Sequence, residues 1–123
     1  MSNLLHRKGE LSYGLVRNRA GGFPEPSPES VTKAAEACLK DIPDDLCFSP
    51  LDPKGEKGAY PICGPTWAVC RIKGPKEKAV LLKDFLRWAL HEGQDMAALK
   101  HYAPLPKALV EKAERKVDLI EAE

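Results

Sequence analysis

The sequence has no apolar run approaching the roughly 20 residues needed to cross a bilayer, so a membrane-spanning helix is not expected. It has almost no net charge: 19 Lys and Arg against 18 Asp and Glu leave +1 at pH 7. Binding nucleic acid through a basic face needs clustered cations, and this balance argues against that class. It also lacks closely paired cysteines. Cys38, Cys47, Cys63 and Cys70 match no zinc spacing, so a metal site is not expected. If Cys63 and Cys70 shared a strand, a rise of about 3.3 Å per residue would put them about 23 Å apart, far beyond disulfide reach. Any bridge must then join different elements, with Cys38 and Cys47 the pair favoured by proximity. The simpler reading makes all four small core residues.

Catalytic signatures are missing as well. His91-Glu92 opens like a zinc-protease motif, but Asp95 stands where a second histidine would have to share the helix face. His6, His91 and His101 read as surface or helix-end residues. Ser12, Ser27, Ser30 and Ser49 lie in no Gly-x-Ser-x-Gly elbow, and no cysteine has a nucleophile context. Arg17, Arg19 and the Gly21-Gly22 pair suggest an anion-binding loop, but the Gly-Lys-Ser/Thr ending of a phosphate loop is absent and a solvated turn is the simpler reading. Asp41, Asp44 and Asp45 cluster where solvation accounts for them. No enzyme and no cofactor is expected. The amino terminus, M-S-N-L-L-H-R-K-G-E, has no signal-peptide core and carries its basic residues after Leu4-Leu5, so the chain as written is expected to be cytoplasmic.

What is present is the composition of a globular domain, 43% hydrophobic and 30% charged over 123 residues. Eleven prolines favour short elements with sharp punctuation. Residues 11–17 read as a strand ending at Asn18, followed by a Gly- and Pro-dense loop to Pro28. Ser27 and Pro28 suit the cap and first position of a helix whose Val31, Ala34, Ala35, Cys38 and Leu39 make a narrow small-residue face, closed by Pro43. Residues 43–58 read as a loop tacked down by Leu46, Phe48 and Leu51.

Residues 60–90 carry the strongest pattern. The run 67–72 reads as a strand, Gly74-Pro75 turns the chain, and a helix follows with Leu81, Phe85, Trp88 and Ala89 at three- and four-residue steps beside Leu82, Leu86 and Leu90. That wide arc predicts a heavily buried helix, with Trp67 and Trp88 in the core. Gly93 suits its C-cap. A short helix over 94–102 and a rigid break at 103–106 come next. Pro106 then opens a last helix striped by Leu109, Val110, Ala113, Val117 and Ile120, after which the terminus E-A-E frays.

Five stretches occur in a telling order: L-S-Y-G-L-V-R-N-R-A-G at 11–21, P-S-P-E-S-V-T-K-A-A at 26–35, A-Y-P-I at 59–62, L-L-K-D-F-L-R-W-A-L-H-E-G-Q at 81–94 and Y-A-P-L-P-K-A-L-V-E-K-A at 102–113. Together they resemble the carboxy-terminal part of the phosphate-binding proteins that serve bacterial ABC phosphate importers. The resemblance implies an α/β chain that is the carboxy-terminal portion of a two-lobed periplasmic-binding-protein fold, with incomplete sheets flanked by about four helices. Residues 1–58 would belong to the second lobe, 59–66 would cross between lobes with Tyr60, Pro61 and Ile62 as the hinge crossing, and 67–123 would close the first lobe.

For the full-length family the resemblance implies inorganic phosphate as ligand, ABC permease subunits as partners and a periplasmic or cell-surface location. The family's phosphate contacts precede the matched part, so no phosphate-binding residue is assigned in this chain, and the parent could have bound another oxyanion. The expectation is a truncated binding component that needs the missing upstream portion of the fold. The alternative is a stand-alone interaction module or a remnant without phosphate binding.

Overall fold

Ser27 and Ser30 start the first helix by satisfying each other. The Ser27 hydroxyl accepts from the Ser30 amide at 3.2 Å, and the Ser30 hydroxyl accepts from the Ser27 amide at 3.1 Å, a capping box built from two serines. A computed structural model describes residues 12–50 and 53–123. In it, α1 spans Pro28–Cys38 with proline at its first position. Ala34 is fully buried, Val31, Ala35, Cys38 and Leu39 are half-buried, and Lys33, Glu36 and Lys40 face solvent, as the spacing requires. The helix stops at Cys38, before Pro43. Tight turns take over, with the Leu39 amide donating to Glu36 and the Asp41 amide to Cys38. The ammonium of Lys112 then donates to the carbonyls of Leu39 at 3.3 Å and Ile42 at 3.1 Å, covering acceptors that the ended helix leaves open.

The remaining elements are β1 (Lys73–Gly74), α2 (Lys76–Leu90), α3 (Gly93–Leu99), α4 (Lys107–Asp118) and β2 (Glu121–Ala122). Strands β1 and β2 pair in parallel, Lys73 with Glu121 and Gly74 with Ala122. The Glu121 amide donates to Ile72 at 2.6 Å and that of Glu123 to Gly74 at 2.9 Å. Four helices and a short parallel sheet among the described residues make up the α/β mixture expected of a portion of a periplasmic-binding-protein fold.

Helix α2 runs antiparallel to α4, and exposed polar contacts join the two. Arg87 meets Asp118 at 2.8 Å, Lys83 donates to the Asp118 carbonyl at 3.2 Å, and His91 meets Glu114 at 2.7 Å. Leu109, Val110, Val117 and Ile120 are buried beneath, so the stripe expected on α4 is its core face. Gln94 ties the rigid break at 103–106 to the end of α2, donating to Ala89 at 2.7 Å and accepting from the Leu105 amide at 2.9 Å.

Several expectations are corrected. Residues 12–17 and 67–72 are not strands among the described residues, because a strand is made by pairing and the one ladder there takes in only Lys73 and Gly74 with Glu121 and Ala122. The last residues do not fray; they form β2. Helix α2 is not heavily buried: only Ala79 is, while Leu81 is 69% and Phe85 59% exposed, since α4 and the short sheet cover one side of a wider arc. For the same reason Trp67 (53%) and Trp88 (43%) are not core. Trp67 lends its indole N–H to the Leu46 carbonyl at 3.0 Å, and Trp88 tilts against Phe85.

Gly93 is no C-cap but the first residue of α3. A side chain there would press on the Trp88 carbonyl at 3.2 Å, so glycine serves close approach rather than a left-handed turn. All four cysteines are free. Cys38 and Cys63 are half-buried as small packed residues, whereas Cys47 and Cys70 are exposed. Leu46 and Phe48 are half-buried as expected, and Leu51, Leu11 and His6 lie outside the described residues.

The asymmetry between α4 and α2 gives a stability test. Leu109→Ala should cost about 2–5 kcal/mol by opening a cavity, whereas Leu81→Ala should cost less than about 0.5 kcal/mol because its side chain already meets water. Urea unfolding should show this as a lowered midpoint for the first variant and a nearly unchanged one for the second.

Candidate functional site

The segment singled out by the sequence, Tyr60-Pro61-Ile62, leaves a polar junction built around Asn18. Residues 18–22 close a tight turn in which the Asn18 amide donates to Gly22 at 2.9 Å and the Gly21 amide to Asn18 at 3.0 Å, with Gly21 at φ +79°. The turn leaves the Asn18 side chain 3% exposed and aimed at residues 56–59. Its amide group donates to the carbonyls of Glu56 (3.1 Å), Lys57 (3.0 Å) and Ala59 (2.9 Å), and its oxygen accepts from the Gly22 amide at 2.8 Å. Two N–H protons thus serve three acceptors, and the side chain has no donor left for an anion. Gly22 has no side chain because a Cβ there would overlap the Lys57 carbonyl oxygen. The turn expected to be solvated is therefore a packed joint. Arg17 and Arg19 lie on its exposed side.

From this joint the chain passes to α1. Ala59 is fully buried, and the Tyr60 amide donates to the Ser30 carbonyl at 3.0 Å in the first turn of the helix. The Ser30 hydroxyl in turn donates to Glu25 at 2.6 Å. Pro61 is buried and Ile62 emerges into solvent. The structure thus brings Tyr60 and Pro61 together in one anchored knot and leaves Ile62 outside it. The knot also reaches the second half of the chain, because Thr32 donates its hydroxyl to the Pro104 carbonyl at 3.0 Å.

Next to Tyr60-Pro61-Ile62, the Cys63 thiol faces the carbonyls of Tyr60 at 3.5 Å and Pro50 at 3.8 Å. Burial pushes its pKa up to about 11, and the nearby Cys38 adds a smaller push in the same direction. Burial, then Asp41, likewise raises Cys38. These thiols stay protonated near neutrality and make poor nucleophiles or metal ligands.

Elsewhere the surface offers little that suits a bare anion. The α1 N-terminus is already occupied by Ser27. A shallow depression on α2 and α4 is lined by Arg87, Arg115, Glu111, Glu114 and Asp118, so its carboxylates outnumber its guanidiniums and Arg87 is already paired with Asp118. Asp45 is a turn residue that accepts from the Cys47 amide at 2.8 Å. No group of three His, Cys, Asp or Glu able to hold a metal occurs among the described residues.

Asn18, Ser30 and Lys112 are the polar residues that sequence reasoning passed over as organisers. An Asn ahead of Gly21-Gly22 does signal a side chain that closes a turn. Its partners at 56–59, about 40 positions away, leave no local mark.

The knot generates two predictions. Asn18→Ala should destabilise the chain by about 2–4 kcal/mol by orphaning buried carbonyls and an amide. Asn18→Asp should do at least as much harm, because a carboxylate keeps the acceptor but faces three carbonyl oxygens without a proton to give. Urea titration of both variants checks this. The second concerns Cys63: in the native protein at pH 8 it should alkylate at least about tenfold more slowly than in the denatured chain, as read by mass spectrometry. Its thiol titrates higher when folded, so the stability it contributes is complete below pH 9.0 and lost as the pH rises towards about 11.

No family model matches the chain. Curated relatives do. It is 32% identical over 110 residues to the phosphate-binding protein PstS of Xylella fastidiosa, a match covering 87% of this chain and 29% of the relative. It is 36% identical over 115 residues to PstS of Methanocaldococcus jannaschii, covering 77% and 28%. PstS of Pasteurella multocida is 26% identical over 109 residues, covering 86% and 31%. The names of these relatives describe binding of phosphate and no reaction. The chain spans less than a third of their length. Over most of its length the chain is therefore similar to part of the PstS phosphate-binding proteins.

Proposed function

We propose that this chain is the carboxy-terminal portion of the binding component of an inorganic phosphate importer, active only when the rest of that fold is supplied. The observation that carries this reading is the uneven coverage, 87% of this chain against 29% of the Xylella relative. On this reading, residues 1–58 belong to one lobe, 59–66 cross and 67–123 close the other, with Tyr60, Pro61 and Ile62 as the crossing. The knot at Asn18 and Ser30 supports it mechanically. A crossing between moving lobes needs a fixed point to leave from, and the Tyr60 amide is bonded to α1 and Pro61 is buried, while Ile62 is exposed.

The ligand groups lie in the unmatched portion, which also supplies any address to the periplasm or cell surface. ABC permease subunits receive the captured phosphate, and no covalent chemistry is involved. A second reading, a stand-alone interaction module, draws on the exposed arc of Leu81, Phe85 and Trp88, a surface suited to a partner without any need of phosphate.

Calorimetric titration with inorganic phosphate at neutral pH separates the two readings. The isolated chain should give no saturable heat. Mixed with the segment of Xylella fastidiosa PstS that it does not match, it should acquire micromolar or tighter binding. Micromolar binding by the isolated chain would contradict the assignment of the ligand groups, and persistent failure of the mixture would favour the interaction module.

A further inference from the structure

Ser30, Ala34 and Cys38 recur every fourth residue of α1 and therefore share a face. Ser30 and Ala34 are buried, and the chain from residue 58 onward lies against that turn of the helix. A Cβ on Gly58 would press on the Lys33 side chain at 3.1 Å, and the Tyr60 amide donates to the Ser30 carbonyl at 3.0 Å. The chain then bends at Pro61-Ile62 and turns back, bringing the Cys63 thiol to 3.5 Å from the Tyr60 carbonyl and 3.8 Å from that of Pro50. Cys38, the half-buried member of the α1 face, is the titratable neighbour whose charge reaches Cys63. Two half-buried thiols thus meet where α1 ends and the segment after Tyr60 docks, and the transport reading gives them no task.

The other two cysteines are placed differently. Cys47 is exposed, its amide tied to the Asp45 carboxylate at 2.8 Å and the Leu46 carbonyl before it held by the Trp67 indole at 3.0 Å. Cys70 is exposed as well. Sequence proximity favours Cys38 with Cys47, whereas the structure sets Cys63 with Cys38 on the packed side and leaves Cys47 facing solvent.

We propose that Cys38 and Cys63 are a redox pair that closes into a disulfide under an oxidant of the small-molecule disulfide class, fastening the segment after Tyr60 to the end of α1. One cysteine sulfur, as its thiolate, attacks a sulfur of the oxidant, breaking the oxidant's S–S bond and releasing one thiolate. The second cysteine gives its proton to solvent, attacks the protein sulfur of the mixed disulfide and expels the other half of the oxidant. Two electrons pass from the protein pair to the oxidant, two protons end on the released thiols, and one protein S–S bond replaces the one consumed. Both thiols are held protonated by burial, so closure is slow near neutrality and quickens as the pH rises. Cys38 ends α1 and Cys63 lies in irregular chain, so the backbone at each can adjust to the geometry a disulfide demands. The bridge encloses residues 39–62 and stabilises the fold by removing freedom from the unfolded chain. It presupposes nothing about phosphate.

The test treats the full chain with oxidised glutathione at mildly alkaline pH, with and without urea, and maps the bridges by mass spectrometry of unreduced peptides. The native chain should yield Cys38–Cys63 at least about tenfold over Cys38–Cys47. In urea, where loop length alone decides, Cys38–Cys47 should lead. The double variant Cys47→Ser with Cys70→Ser, altered only at exposed sites, should form the native bridge within about twofold of the same yield. The bridged chain should unfold at a higher urea concentration than the reduced one, and dithiothreitol should return it to the reduced midpoint.

Native oxidation that gave chiefly Cys38–Cys47, or glutathione adducts and intermolecular dimers without Cys38–Cys63, would overturn the proposal. So would a Cys38–Cys63 bridge that formed no better in the native chain than in urea, or one that lowered the urea midpoint, since either would mean that the two sulfurs meet only in a distorted or unfolded chain.

Discussion

An apolar arc wider than the described segments cover constrains this structure more than any other feature. Helix α2 carries Val80, Leu81, Phe85 and Trp88 in addition to the side that meets α4, and no described segment lies over them. Burial of apolar surface is the main favourable term in folding, at about 25 cal/mol per Å². Side chains left in water forgo it. The buried core is accordingly small, drawn from Ala34, Ile42, Ala59, Ala79, Leu109, Val110, Val117 and Ile120, with no aromatic among them. Polar contacts at the rim hold the arrangement: Arg87 with Asp118, His91 with Glu114, and Lys112 across the end of α1. Exposed pairs of this kind are worth little singly, so they fix geometry more than they stabilise it.

The Asn18 joint works by the opposite means. It buries a side chain whose N–H groups donate to backbone carbonyls 38 to 41 positions away and whose oxygen accepts from the Gly22 amide, so its strength comes from the cost of leaving those groups unpaired. Through Ala59 and Tyr60 it fixes where the chain leaves α1, and through Thr32 and Lys112 the same helix is tied to the break before α4 and to α4 itself. The first half of the chain is thus held by hydrogen bonds to backbone carbonyls, and the second by a thin apolar layer under a polar rim.

What the sequence disclosed follows from this division. Helix starts were legible because a cap is local: Ser27-Pro28, Pro75 and Pro106 each mark a beginning within a residue of where it lies. The α4 stripe was legible because its cover, α2, is in the chain. The strand read into residues 67–72 and the burial read into α2 failed for one shared reason, since periodicity reports which face is apolar and not whether anything lies against it. Trp67 and Trp88 belong to that failure. The packing of Tyr60-Pro61 against the Asn18 joint was not legible, because nothing local to Tyr60-Pro61 points to Asn18.

On the proposed reading, the apolar surface of α2 and of residues 67–72 is where the rest of a phosphate-binding fold would lie. The chain's two tryptophans, Trp67 and Trp88, sit on that surface and report on it directly. The most direct measurement is acrylamide quenching of tryptophan fluorescence in the isolated chain and after mixing with the unmatched portion of a PstS relative. The account predicts long-wavelength, readily quenched emission from the isolated chain, shifting to shorter wavelength and becoming shielded on mixing. Blue-shifted, quencher-resistant emission from the isolated monomer would contradict it.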